Sequence, residues 1–159
     1  MIDRPEVRLA MPARPEGVGV VRQALAGMAD ALAFDPGVLA DMKMAVTEAC
    51  TNVVVHAYAL DGETANADEG SLEVDFVSDV TGLTVVVRDQ GVGIEPHADR
   101  STPALGLGLP LIAALSDAFE VHGPDGGGTE VRMSFGYARD GDPVEANPIG
   151  DTGWEPPGG

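Results

Sequence analysis

The sequence predicts an α+β fold built around a single core. Apolar residues recur at spacings of three and four over residues 15–33 and 36–58. They alternate or run together over residues 72–78 and 83–88, and a second strand pair at 119–122 and 130–135 is joined by Gly126-Gly127-Gly128. A period near 3.6 places side chains on one helix face, and a period of two places them on one sheet face, so both element types are encoded in one short chain.

Each element has a local reason. Val7-Arg8-Leu9 reads as an edge strand. Val18, Val21, Leu25, Met28 and Leu32 form the apolar face of the first helix, expected over residues 15–33. Asp35-Pro36 then reads as an N-cap followed by a first-turn proline, opening a second helix that extends to about Tyr58 with Val38, Met42, Ala45, Val46, Ala49 and Val53 on its apolar side. Residues 61–70 are polar and rich in turn formers, which predicts a loop. Leu72, Val74 and Phe76 alternate, Thr81-Gly82 turns the chain, and Leu83-Thr84-Val85-Val86-Val87 reads as a buried strand, so the two form a hairpin. Residues 95–104, with Pro96 and Pro103, suit an irregular loop. Residues 107–115 have helical spacing, with Pro110 tolerated if it lies in the first turn. The expected domain is residues 1–136, and residues 137–159 form a Gly/Pro-rich tail expected to lack structure.

Composition narrows the function. With 159 residues the chain fits one domain, and at 4% aromatic its core must rest on Val, Leu, Ala, Ile and Met. A formal charge of −17 argues against direct nucleic-acid binding or attachment to an anionic membrane, because both need basic surface. It favours a basic protein partner, and it still permits a phosphate ligand held by Mg²⁺, backbone N–H groups and a helix N-terminus. The single Cys50 excludes an intrachain disulfide and reads as an inert core thiol. The N-terminal residues lack a secretory pattern and no run reaches membrane-spanning length, so a cytoplasmic location is expected.

Four short motifs carry chemistry. Glu48 and Asn52 lie four residues apart on one helix face. An amide oxygen there suits Mg²⁺, and a carboxylate beside it suits metal-bound water or a proton from an attacking hydroxyl, although the pair by itself fits the exposed polar stripe of an amphipathic helix as well. Asp89-Gln90-Gly91-Val92-Gly93 follows the buried strand and by itself fits an acidic turn as well as a ligand site. Gly106-Leu107-Gly108-Leu109 precedes or opens the third helix, where backbone amides can approach phosphate oxygens. The spacing matches neither a P-loop nor a dinucleotide fingerprint. Gly127-Gly128-Thr129 is an ordinary turn pattern whose Thr129 hydroxyl can sit near Asp89 or a bound base. His56 continues the Glu48 and Asn52 face and reads as structural.

In order and spacing these motifs resemble the N, G1, G2 and G3 boxes of GHKL-type (Bergerat, HATPase) ATP-binding domains. The run from Ala45 through Tyr58 is most similar to the N box of the anti-sigma-factor serine/threonine kinases of the RsbW and SpoIIAB type. The resemblance covers residues 7–135. It implies a two-layer α/β sandwich: a mixed, mostly antiparallel sheet covered on one face by helices, with ATP between the layers. It also implies that Asn52 binds Mg²⁺, that Glu48 is the general base, and that Asp89 accepts a hydrogen bond from the adenine amino group. Gly91 and Gly93 then admit adenine and ribose, Gly106, Leu107 and Gly108 line the phosphates, and Thr129 supports the adenine end. Arg100, in the lid, can neutralise γ-phosphate charge, and by itself fits a solvated surface arginine as well.

The implied activity is ATP-dependent phosphorylation of a STAS-domain anti-sigma-factor antagonist, coupled to sequestration of a sigma factor, with a homodimer as the family's assembly. The lid between Ile94 and Gly106 is short, which makes catalysis dependent on a docked partner. A non-catalytic ATP-binding switch is the alternative, and Glu48 favours the kinase because a pure binder needs no base. A detached histidine-kinase domain fits less well, since no dimerising helix pair precedes the motifs.

Overall fold

The structure is a computed structural model that describes residues 6–59, 70–89, 104–123 and 128–138. The elements run β1 (Val7–Pro12), α1 (Pro15–Ala31), α2 (Pro36–Ala59), β2 (Ser71–Ser78), β3 (Gly82–Asp89), α3 (Ala104–Leu115), β4 (Ala118–His122) and β5 (Thr129–Gly136). The strands form one sheet in the order β1-β2-β3-β5-β4. Every described pairing in it is antiparallel. β1 lies at an edge, as its short alternating sequence predicts. The loop expected at 61–70 falls outside the described residues except for Gly70, whose carbonyl accepts from the Ala13 N–H at 2.8 Å. Residues 95–103 also lie outside them.

The helix boundaries follow from local bonds. α1 stops two residues short of the expected Ala33, because Ala33 takes a φ of 56° and the Phe34 N–H bonds back to the Ala29 carbonyl at 3.0 Å. That left-handed residue closes the helix as glycine commonly does. α2 begins as expected: the Asp35 carboxylate accepts the Gly37 N–H at 3.0 Å, and Pro36 occupies the first turn. α3 departs from expectation. It starts at Ala104, which puts Pro110 inside the helix instead of in its first turn. Lacking an N–H, Pro110 leaves the Gly106 carbonyl without its usual helical donor.

The core lies between sheet and helices. Leu72, Val74 and Phe76 of β2, Leu83, Val85 and Val87 of β3, and Val131, Met133 and Phe135 of β5 face Val21 and Leu25 of α1, Met42, Val46 and Cys50 of α2, and Ile112 of α3. Burial pushes the Cys50 thiol up to about 12, so it stays protonated and inert as expected. Val86, which points to the opposite face, is also buried, in keeping with the unbroken apolar run of β3.

The opposite face of the sheet is tied by charge. Asp75, only 3% exposed, accepts hydrogen bonds from Arg8 Nε at 2.8 Å and Arg88 Nη1 at 2.6 Å. Arg88 Nε reaches Glu130 at 2.9 Å, and Arg132 joins the same carboxylate at 3.3 Å. Burial pushes the Asp75 carboxyl up, but the two guanidinium hydrogen bonds and charges outweigh it and hold the group below the usual carboxylate range. A depressed folded pKa contributes stability above the unfolded value, roughly 3.9, and that contribution disappears as pH falls through the folded value. Thermal melts from pH 7 to pH 2 are therefore expected to fall more steeply below about pH 4 for the wild type than for Asp75→Asn; parallel curves would contradict this.

At the far end of the hairpin, the Asp79 carboxylate accepts the Thr81 N–H at 2.6 Å and the Gly82 N–H at 3.1 Å, closing the turn. Gly82 itself belongs to β3 and pairs with Gly136. Tyr137, the first residue of the expected tail, packs back on the start of α2. Its ring lies 4.8 Å from that of Phe34, and its carbonyl accepts the Asp35 N–H at 3.0 Å. The rest of the expected tail, residues 139–159, lies outside the described residues.

Candidate nucleotide site

α2 is the platform of the site. Val38, Met42, Ala45, Val46, Ala49, Cys50, Val53 and Val54 are all buried, which turns Glu48 and Asn52 to the flank of the helix, where both are half-buried. Among the described residues neither side chain makes a hydrogen bond or ion pair. A half-buried carboxylate and amide with unused bonding capacity on one face supply the donor and acceptor set that a metal-nucleotide ligand needs.

α3 packs against α2 and brings Gly108 onto Asn52. A Cβ at position 108 would lie 2.9 Å from Asn52 Nδ2 and 3.4 Å from its Oδ1. Gly108 thus permits a close helix crossing that fixes the Asn52 amide. Gly108→Ala is expected to leave the melting temperature nearly unchanged, because the Asn52 amide can swing away. Moving that amide is expected to weaken Mg-ATP binding by about tenfold, or roughly 1.4 kcal/mol, in a calorimetric titration.

Gly106 and Gly108, both expected beside the phosphates, sit in the opening turns of α3. There the N–H groups of residues 104–106 precede the first donor of the helical ladder. Gly106 contributes one of those amides at the positive end of the helix dipole. Gly108 lies where an added Cβ would meet the Asn52 amide.

The other end of the site is set by strand register. Asp89 closes β3 on the helix-covered face shared by Val85 and Val87, and its cross-strand partners are Leu72 on β2 and Thr129 on β5. Thr129 follows Gly128, whose φ of 89° is accessible to glycine at little cost. Thr129 is thereby placed beside Asp89, one of the two positions its motif allowed. Gly91, Gly93 and Arg100 lie outside the described residues, as does the side chain of His56. The sequence did not reveal the Asn52–Gly108 contact, because it joins two motifs 56 residues apart; the only hint was a second glycine inside a helical pattern. No described helix is long and apolar enough to cross a membrane.

A helix-covered antiparallel sheet, an acidic strand end beside a threonine, and a glycine-bearing helix start over an Asn-containing helix define an ATP-binding domain of the GHKL class. The chain matches the histidine kinase-like ATPase domain family over residues 11–135. It is 35% identical over 141 residues to the serine-protein kinase RsbW of Bacillus licheniformis, covering 80% of this chain and 83% of the relative. The RsbW serine-protein kinases of Bacillus pumilus and Bacillus cereus are 33% and 32% identical, across 76% and 79% of this chain and 80% and 83% of theirs. A crystal structure of the RsbU and RsbW domains of a Mycobacterium tuberculosis protein superposes with a TM-score of 0.55 at 19% identity, covering 82% of this chain and 32% of that one, a likeness of fold. The chain belongs to the histidine kinase-like ATPase family, in its RsbW group of serine-protein kinases.

Proposed function

We propose that this protein is a cytoplasmic, Mg-ATP-dependent serine/threonine kinase acting as an anti-sigma factor. In this reading it phosphorylates a STAS-domain anti-anti-sigma partner, sequesters a sigma factor and pairs with a second copy of itself. The observation that carries the reading is the half-buried Glu48 and Asn52 pair on one face of α2, without bonding partners among the described residues, with Gly108 close to Asn52. Mg-ATP supplies the transferable phosphoryl group and neutralises its charge.

The chain's own residues do the rest. Asn52 would offer its Oδ1 to the metal, and Gly106, Leu107 and Gly108 at the start of α3 line the phosphates. Asp89 accepts from the adenine amino group with Thr129 beside it, and Gly91 and Gly93 give the base and ribose room. Arg100 meets the γ-phosphate. Glu48 accepts the proton of the partner's hydroxyl as that oxygen attacks in line. Phosphoryl transfer needs positioning and charge neutralisation more than covalent help, so this small set suffices once a partner presents its hydroxyl. The domain that does this spans residues 1–136, with 137–159 as an appended tail.

Incubation with labelled ATP and candidate STAS-domain proteins tests the reading. Label on a serine or threonine of one of them is expected. Intact ATP binding with no transfer to any of them would favour a non-catalytic ATP-binding switch.

A further inference from the structure

Among the described residues Asp75 is the one buried charged side chain, and it lies on the sheet face away from the helices. Taking a carboxylate out of water is costly, and a buried ion pair that repays the cost adds little net stability over apolar residues of the same size. Its best-attested gain is registry. The strands that Asp75 and its partners tie together therefore matter more than the number of bonds.

Arg88 is the centre of the network. Its Nη1 donates to Asp75 on β2 at 2.6 Å and its Nε to Glu130 on β5 at 2.9 Å, so one guanidinium joins three adjacent strands. A planar fork with fixed donor directions suits that task, whereas an ammonium acts as a point charge. The other two arginines do less. Arg8 binds the same Asp75, at 2.8 and 3.0 Å, but ties only β1 to β2. Arg132 reaches Glu130 at 3.3 Å within its own strand.

Position along the strands gives this staple its use. Arg88 pairs with Glu73 and Glu130 in the row directly before the last of the ladder, and that last row is Leu72, Asp89 and Thr129. Strand ends open more readily than strand centres, and a one-residue slip of an antiparallel pair sends every side chain to the other face. Either event parts Asp89 from Thr129. Successive strand residues face opposite sides, so the Arg88 guanidinium grips the open face while Asp89 turns to the helix-covered one. One planar peptide bond joins the staple to the candidate adenine acceptor.

We propose that Arg88 is a positioning residue for the nucleotide site. By holding Asp75 and Glu130 at once it fixes the β2–β3–β5 register at the row that carries Asp89 and Thr129, and so sets the recognition of adenine by its amino group. The proposal rests on the reading of Asp89 as the acceptor for that group.

Paired calorimetric titrations separate placement from general loosening. The probes are Mg-ATP and the Mg complex of purine riboside triphosphate, which lacks only the 6-amino group. The wild type is expected to prefer ATP by about 10- to 100-fold, the value of one hydrogen bond to a charged acceptor. In Arg88→Met, with the folded fraction checked by circular dichroism, that preference is expected to shrink to about threefold or less through weaker ATP binding. A loss of folded protein alone weakens both nucleotides equally and leaves the ratio unchanged. Arg8→Met breaks ion pairs to the same Asp75 without touching β3 and is expected to keep the wild-type ratio. Glu130→Gln retains the bond to Asp75 and is expected to reduce the ratio by about threefold, which carries the test if Arg88→Met does not fold. A wild-type ratio in Arg88→Met, or in Glu130→Gln where the former is unfolded, would overturn the proposal, as would an equal loss in Arg8→Met. A wild type that binds the two nucleotides equally would instead defeat the adenine reading on which the proposal stands.

Discussion

Glu48→Ala is expected to leave Mg-ATP binding unchanged while lowering phosphoryl transfer to the partner by about 10² to 10⁴-fold, the range a positioned general base supplies. The separation of the two effects follows from geometry. Glu48 lies on the flank of α2, without a bonding partner among the described residues, so its removal opens no core cavity and breaks no described ion pair. Its effect on folding is expected to stay within about 0.5 kcal/mol. Single-turnover transfer, read beside an ATP titration, checks both halves. Glu48→Gln keeps the shape without the base and is expected to match the alanine variant. Transfer at the wild-type rate in either would remove Glu48 from the chemistry.

Gly82→Ala is expected to be the most damaging single methyl addition in the described sheet. The added Cβ would sit 1.9 Å from the Phe135 carbonyl oxygen and 2.8 Å from its carbon. Both atoms belong to the backbone of a central strand pair and cannot rotate aside. Separating β3 from β5 at that point is expected to cost at least about 3 kcal/mol. For a domain of this size that lowers the melting temperature by roughly 10 °C, measurable by circular dichroism. ATP affinity per folded molecule is expected to hold, because Asp89 lies at the opposite end of β3.

The strands and the first two helices were legible because their signals are local. Asp35 caps α2 through its own neighbour Gly37, and the alternation of Leu72, Val74 and Phe76 survives as the buried face of β2. α3 was misread where local rules compete. Pro110 argued for a later start, but the helix begins at Ala104 and accepts the proline internally, because Leu109, Ile112 and Leu115 anchor it on the core. Long-range partners were hidden for the same reason. Nothing near Asp75 in sequence announces Arg8 and Arg88, which reach it across the sheet. Gly82 read as a turn residue, yet its need for glycine comes from Phe135 on another strand. The candidate site was read from the sequence as a set of motifs; the placement of Gly108 near Asn52 and of Thr129 beside Asp89 required the fold.

The central claim is that these motifs form one Mg-ATP pocket whose adenine end is read by Asp89. Calorimetric titration of Mg-ATP into the wild type and Asp89→Asn tests it most directly. Replacing an ionised acceptor by an amide removes a charged hydrogen bond worth about 1.5–3 kcal/mol, so affinity is expected to fall about 10- to 100-fold with the fold intact. Equal affinity in the two proteins would contradict the claim.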